Sequence, residues 1–196
     1  SVKQGRTCRK QSTCLEVLSM HGVDALLSIM EESHEGLCPG IILGTRMTIA
    51  GMRELGMNPA EKNRNLVVYV ESDRCIADAI QAITRCTPGH RTLKYKPYGK
   101  FAATFMDMDT GKAVRVSVTE KIRVTPGQTD VRGVARTLLE VPESELIRVL
   151  PVNVVMQEEE LPGTPGHKAR CSVCGELVLD HKETVVGGNI MCKNCV

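Results

Sequence analysis

The chain has no Trp and only five other aromatic residues, three Tyr and two Phe. Proteins that bind single-stranded nucleic acid generally stack bases on aromatic rings, so this scarcity counts against that class. It also leaves the core to be filled by Ile, Leu, Val, Met and Ala. An excess of either charge is missing too. Lys and Arg number 25 against 23 Asp and Glu, a net charge of +2, and no global field draws the chain to a polyanion or an anionic membrane. No apolar run approaches the roughly 18 residues of a membrane span, and no charged leader precedes an apolar block. The expectation is a soluble cytoplasmic protein without a membrane partner. Nor is there an even set of cysteines. The nine, at 8, 14, 38, 75, 86, 171, 174, 192 and 195, argue against a complete disulfide framework and for metal ligation or reactive thiols in a reducing compartment.

What is present suits one domain with a small appendage: 196 residues, 42% of them hydrophobic, enough to bury a core. Residues 1–22 form a polar extension. Cys8 and Cys14 are six apart there, a poor spacing for a shared helical face, and read as free thiols. In "VDALLSIMEE", Val23, Leu26, Leu27 and Met30 recur with helical period. A second helix is predicted from Pro39 to about Leu55, with proline at the first position and "GMNP" ending it. Its middle is apolar nearly all round, so it should be buried. "NLVVYVES" reads as a strand covered on both faces, and Ser72 or Asp73 should cap a helix in "DRCIADAIQAITRC".

"GKFAATFMDMDTGKAVRVSVTEK" is two β runs joined at "DTGK". A helix in "DVRGVARTLLE", a short one in "PESELIRVL" and a strand in "PVNVVMQ" follow. The expected architecture is α+β, helices packed on a mainly antiparallel sheet. The expected divisions are a core over residues 23–157, a Pro-Gly-rich linker over 158–170, and a metal module over 171–196.

The module carries the strongest signal: C-x2-C, seventeen residues, C-x2-C, formed by Cys171, Cys174, Cys192 and Cys195. Two thiolates three residues apart reach one ion from a tight turn, and Zn²⁺ takes four such ligands tetrahedrally. Gly175 suits the turn, which needs a residue tolerant of positive φ. So short a segment cannot fold on apolar burial alone, so the metal supplies the folding energy. "ELVLDHKETVVGGNI" between the pairs reads as a hairpin. His167 and His181 read as surface residues, since four thiolates complete a structural shell. Lys168, Arg170, Lys182 and Lys193 nearly balance Glu176, Asp180 and Glu183, which points away from a nucleic-acid partner.

Cys38 stands at the head of the second predicted helix, where free N–H groups and the helix dipole favour a thiolate. His34 precedes it by four residues. The pair could bind a metal, act as nucleophile and base, or pack. Cys75 lies at another helix head. Cys86 follows eleven residues later on nearly the same face, but roughly 16 Å away if the helix is unbroken, too far to share an ion.

"SHEGLCPGIILGTRM", "VESDRCIADAIQAITRCTPGH", "YGKFAATFMDMDTGKAVRV" and the terminal C-x2-C pairs, in this order, resemble the FmdE family, named for a component of formylmethanofuran dehydrogenase. The resemblance implies an α+β core, a homodimer, a treble-clef or zinc-ribbon-like appendage, and redox-enzyme partner subunits. It also implies a cavity in which His34, Cys38, Cys75 and Cys86 could hold a second ion beside the structural Zn²⁺, lined by Asp78, Tyr98 and Lys100. Gly36 stands where the family motif has a second histidine, and Arg85 where it has a glycine. The expected function is that of a metal-binding accessory protein. The alternatives are an enzyme using Cys38 as nucleophile, with His34 as base, and a zinc-finger regulator that binds nucleic acid.

Overall fold

The structure, a computed structural model, describes residues 38–119 and 130–196. The helix expected at 23–32, His34, Cys8 and Cys14 lie outside the described residues.

Helix α1 (Pro39–Glu54) has the predicted bounds almost to the residue. Pro39 opens it, and Cys38 occupies the N-cap in extended conformation without a side-chain cap. It ends in a Schellman turn. Gly56 takes φ 73, its N–H donates to the Arg53 carbonyl, and the Met57 N–H reaches back to Met52 at 2.8 Å. Ile41, Ile42, Met47, Ala50 and Met52 are fully buried, so this helix is the spine of the core. It lies across the sheet, with α2 (Cys75–Thr84) and α3 (Val131–Glu140) against it. Arg46 on α1 donates to the carbonyls of Leu138 and Val141, at 2.8 and 2.6 Å, closing the C-terminal end of α3. The start of α3 is capped by the Asp130 carboxylate, which accepts from the Gly133 N–H at 2.8 Å.

The sheet has the order β2-β1-β3-β4-β5, with β1 Leu66–Val70, β2 Leu93–Tyr95, β3 Ala102–Asp107, β4 Ala113–Val118 and β5 Ile147–Val152. All pairings are antiparallel except β1 with β2. The doubly covered strand is β1, every residue of which is buried. The two β runs predicted around "DTGK" are β3 and β4, with Gly111 at φ 70 in the turn. Glu71, just past β1, is gripped two strands away by Arg115 of β4, Nε to Oε1 at 2.6 Å and the second nitrogen to Oε2 at 2.7 Å.

Three local expectations need correction. The cap expected at Ser72 or Asp73 does not form: α2 begins at Cys75 with Arg74 at its N-cap and no side-chain bond. The last strand starts at Ile147, directly after the short helix α4 (Glu143–Leu146), and not at Pro151. Pairing of Ile147 with Val118 sets that register, and an edge strand tolerates Pro151 because one side needs no N–H donor. The three-residue β2 is an addition to the expected elements, for it is too short to show an alternating pattern.

The acidic run that opens the expected linker is seated on the core. A 3-10 turn at Glu158–Glu160 offers the Glu160 carbonyl to Lys94 Nζ and its carboxylate to Lys96 Nζ at 3.3 Å. The Lys96 ammonium also lies 5.3 Å from the centre of the Tyr69 ring. Burial, with the Glu160 carboxylate adding to it, pushes the Tyr69 hydroxyl up to about 12.

Candidate metal centres

The C-terminal module is two short ribbons with a thiol pair at the end of each. Strand β6 (Lys168–Arg170) pairs with β7 (Leu177–Leu179), and β8 (Thr184–Val186) with β9 (Asn189–Met191). The single hairpin expected between the cysteine pairs is therefore replaced by two, because β7 finds its partner upstream of Cys171. The first knuckle closes where Gly175, at φ 75, donates to the Cys171 carbonyl at 2.9 Å. In the second, the Cys195 N–H donates to the Cys192 carbonyl at 3.0 Å. The Ser172 N–H reaches the Ile190 carbonyl at 2.9 Å and ties the two ribbons together.

The four sulfurs of Cys171, Cys174, Cys192 and Cys195 lie within 4.8 Å of one another, with Cys174 and Cys192 at 4.0 Å. Thiolates on a tetrahedral ion at about 2.3 Å stand about 3.8 Å apart, so the cluster is capable of holding a metal with little movement. Without a cation the four cannot ionise together. Backbone N–H groups of Cys174, Cys192 and Val173 aimed at Cys171 bring its thiol down to about 6. Cys195, sharing a hydrogen bond with Cys192 in a crowded site, is pushed up to about 12. One sulfur is prepared as a thiolate, and a divalent ion would draw the others after it.

The core thiols are assembled by helix packing. A Cβ built on Gly40 would stand 3.0 Å from the Cβ of Cys75 and 3.7 Å from the sulfur of Cys38. One turn on, a Cβ on Gly44 would meet the Ala79 Cβ at 2.8 Å and the Ile76 backbone at 2.9 Å. The pairing 40 with 75 and 44 with 79 means that α1 and α2 run in the same direction, in near backbone contact. Their N-terminal ends therefore coincide, and with them Cys38 and Cys75. The signal for this approach in the sequence is the Gly40–Gly44 spacing, which the positions of the cysteines alone do not convey.

Two positive helix ends do not make Cys75 acidic. Burial raises its pKa first, and the hydrogen bond and charge of Cys38 raise it further, against a smaller lowering by its own N–H. Asp78, one turn along α2 and exposed, adds its charge in the same sense. Cys86 is elsewhere. Helix α2 ends at Thr84, Arg85 turns left-handed at φ 59, and the buried Cys86 thiol donates to the Leu66 carbonyl at 3.4 Å. An unbroken helix keeps it from Cys75, as its length requires, and burial raises its pKa. Tyr98 and Lys100 lie on the exposed segment after β2, the Lys100 ammonium 6.0 Å from the Tyr98 ring centre.

Three comparisons with known proteins bear on this arrangement. A protein from Archaeoglobus fulgidus described as a probable S-adenosyl-L-methionine-binding protein is 27% identical over 186 residues, covering 79% of this chain and 49% of that protein. The chain thus spans about half the length of the curated relative it matches. The crystal structure of a tungsten formylmethanofuran dehydrogenase FmdE-like protein from Syntrophus aciditrophicus superposes with a TM-score of 0.53 at 18% identity, over 96% of each chain, and so shares the fold. The family described as FmdE, molybdenum formylmethanofuran dehydrogenase operon, matches residues 33–148, which hold the α1–α2 thiol pair and the sheet as far as the start of β5. The chain belongs to the FmdE family.

Proposed function

We propose that this chain is a metal-binding accessory protein with two functional parts: a structural Zn²⁺ held by Cys171, Cys174, Cys192 and Cys195, and a second ion held in the core by Cys38 and Cys75 with His34. The observation that supports the core site is the glycine-mediated contact of α1 and α2, which brings two thiols to coincident helix N-termini. A cation there would offset the burial and mutual repulsion that keep Cys75 protonated. Asp78 is the nearby group able to join or orient such a site. Cys86 is not among its ligands, since its sulfur is committed to Leu66.

The near-balanced charge of the module weighs against nucleic acid as partner. The partners that fit are a second copy of the chain and the subunits of a redox enzyme, in a reducing cytoplasm. Tyr95, Tyr98 and Phe101, three of the five aromatic residues, are exposed within seven residues, and a partner copy would cover them. No helix among the described residues is long and apolar enough to cross a membrane.

Elemental analysis of the intact chain, of Cys174→Ser and of Cys38→Ser tests this reading. Each substitution should remove about one ion per chain and leave the other. If Cys38→Ser retains the full metal content, the core site is refuted, and if Cys174→Ser does, the module site is.

A further inference from the structure

His167, His181 and Glu183 form a cluster apart from the four cysteines. Strand pairing explains why they meet. Beyond the β6–β7 ladder, the Asp180 N–H donates to the His167 carbonyl at 3.1 Å. The chain then reverses in a tight turn, in which the Lys182 N–H donates to the Leu179 carbonyl at 3.2 Å. Asp180 and His181 take φ 58 and 54 in that turn, the conformation of a type I′ reversal and one uncommon outside glycine. The reversal lays the His181 ring over that of His167, with centroids 3.8 Å apart and planes 11° from parallel. His167 Nε2 lies 2.9 Å from Glu183 Oε1, and His181 Nδ1 lies 3.9 Å from the same oxygen.

The other carboxylate oxygen is the informative atom. Glu183 Oε2 is fully buried and has no hydrogen-bond partner among the described residues. A buried carboxylate oxygen left without a donor or cation is costly. Two imidazoles already stand at its side, and one ligand atom from each of the three residues falls within 4.8 Å of the others. Donors on a tetrahedral ion at about 2.0 to 2.2 Å lie about 3.4 Å apart, so closure needs shifts of about 1 Å. Rings stacked in parallel cannot aim both lone pairs at one point, and one must swing. His181 is free to do so, with 55% of its side chain exposed. Both histidines also line a cavity of about 360 Å³, whose wall includes Arg91, Glu158, Glu159 and Asp180.

We propose that His167, His181 and Glu183 are a third metal site, taking a borderline first-row divalent ion such as Zn²⁺, Ni²⁺ or Co²⁺ through two imidazoles and a carboxylate. Nitrogen and oxygen donors in this ratio suit such ions. Three protein ligands beside a cavity leave one coordination position for water or a small anion, as four thiolates do not. The site is weaker than the cysteine cluster, because His181 must be reordered when the ion binds.

The test is a Co²⁺ titration of the full-length apo chain, followed by absorption. Cobalt on thiolates gives charge-transfer bands that cobalt on two histidines and a carboxylate does not. The expected result is an additional equivalent that binds after the thiolate bands saturate, and its loss in both His181→Ala and Glu183→Gln with the thiolate bands intact. Those bands report that the module has folded and read the cysteine sites separately, so failure here is distinct from failure of the sites above. Binding of the same total amount of Co²⁺ by the wild type and both variants would overturn the proposal, as would saturation of the wild type by thiolate-bound cobalt alone. Should His181→Ala perturb the thiolate bands, His181→Gln, which keeps the size and polarity of the position, decides by the same readout.

Discussion

In the module, each pair of thiols is three residues apart and is delivered by a local turn, with Gly175 at positive φ closing the first. In the core, Cys38 and Cys75 are separated by a helix, a strand and two loops, and they meet because two glycines let α1 and α2 touch. The module has little else to hold it: Val173, Leu177, Leu179, Val185, Val186 and Ile190 are exposed. The core pair sits on a continuous apolar cluster from Ile41 to Ile147 that needs no ion. One set of thiols is thus expected to fold with its metal, and the other to be placed before any metal arrives.

The largest effect should come from breaking the module. Cys174→Ser should abolish its metal and unfold residues 168–196, with about 10 kcal/mol of binding free energy at stake. Limited proteolysis should then cut within that segment, while the core keeps its cooperative denaturant transition. If the core unfolds as well, the two regions are not independent in the way described.

Next is the helix contact. Gly44→Ala places a methyl 2.9 Å from the Ile76 backbone, which cannot move aside as a flexible side chain could. A loss of about 2 kcal/mol in urea unfolding is expected, together with loss of the core ion, while the module keeps its own. Unchanged stability would show that α1 and α2 have room to spare.

A smaller effect concerns reactivity. The raised pKa of Cys75 means that its thiolate is scarcer than that of an ordinary cysteine at any pH below its titration, so alkylation should rise with pH and do so late. Cys38→Ser removes one of the causes and should speed Cys75 labelling several-fold in the metal-free chain, as read by mass spectrometry of its peptide. Unchanged labelling would mean that burial alone, the largest cause, sets the pKa.

The smallest is Arg85→Gly. Arg85 holds φ 59 at the end of α2, where the family motif has glycine. Relief of that conformation should stabilise the chain by about 0.5 to 1 kcal/mol, measured by thermal unfolding. A loss of stability would show that the arginine side chain contributes more than its backbone costs.

The α1 boundaries, the β3–β4 hairpin and the buried β1 were legible because Pro39, Gly56, "DTGK" and an unbroken apolar run act through neighbouring residues. The four-Cys cluster was legible for the same reason. Less was visible where distant segments decide. The start of β5 at Ile147 follows from pairing with Val118. The seating of Glu158–Glu160 follows from Lys94 and Lys96. His167 and His181 read as surface residues, and His181 is indeed exposed and His167 half-buried; what nothing local predicts is that a left-handed Asp180–His181 turn will stack them.

By itself the sequence determined the class of the fold and the four thiols of the module, and it set the condition that an unbroken helix would keep Cys86 from sharing an ion with Cys75. Each of these depends on spacing along a chain of known local geometry. Only the tertiary structure decided that Cys38 meets Cys75, that burial and the second thiol outweigh the backbone N–H in setting the direction of Cys75's pKa, and that a buried Glu183 oxygen stands beside two histidines. These outcomes depend on which surfaces exclude water and how closely backbones approach, quantities that exist only once the segments have packed.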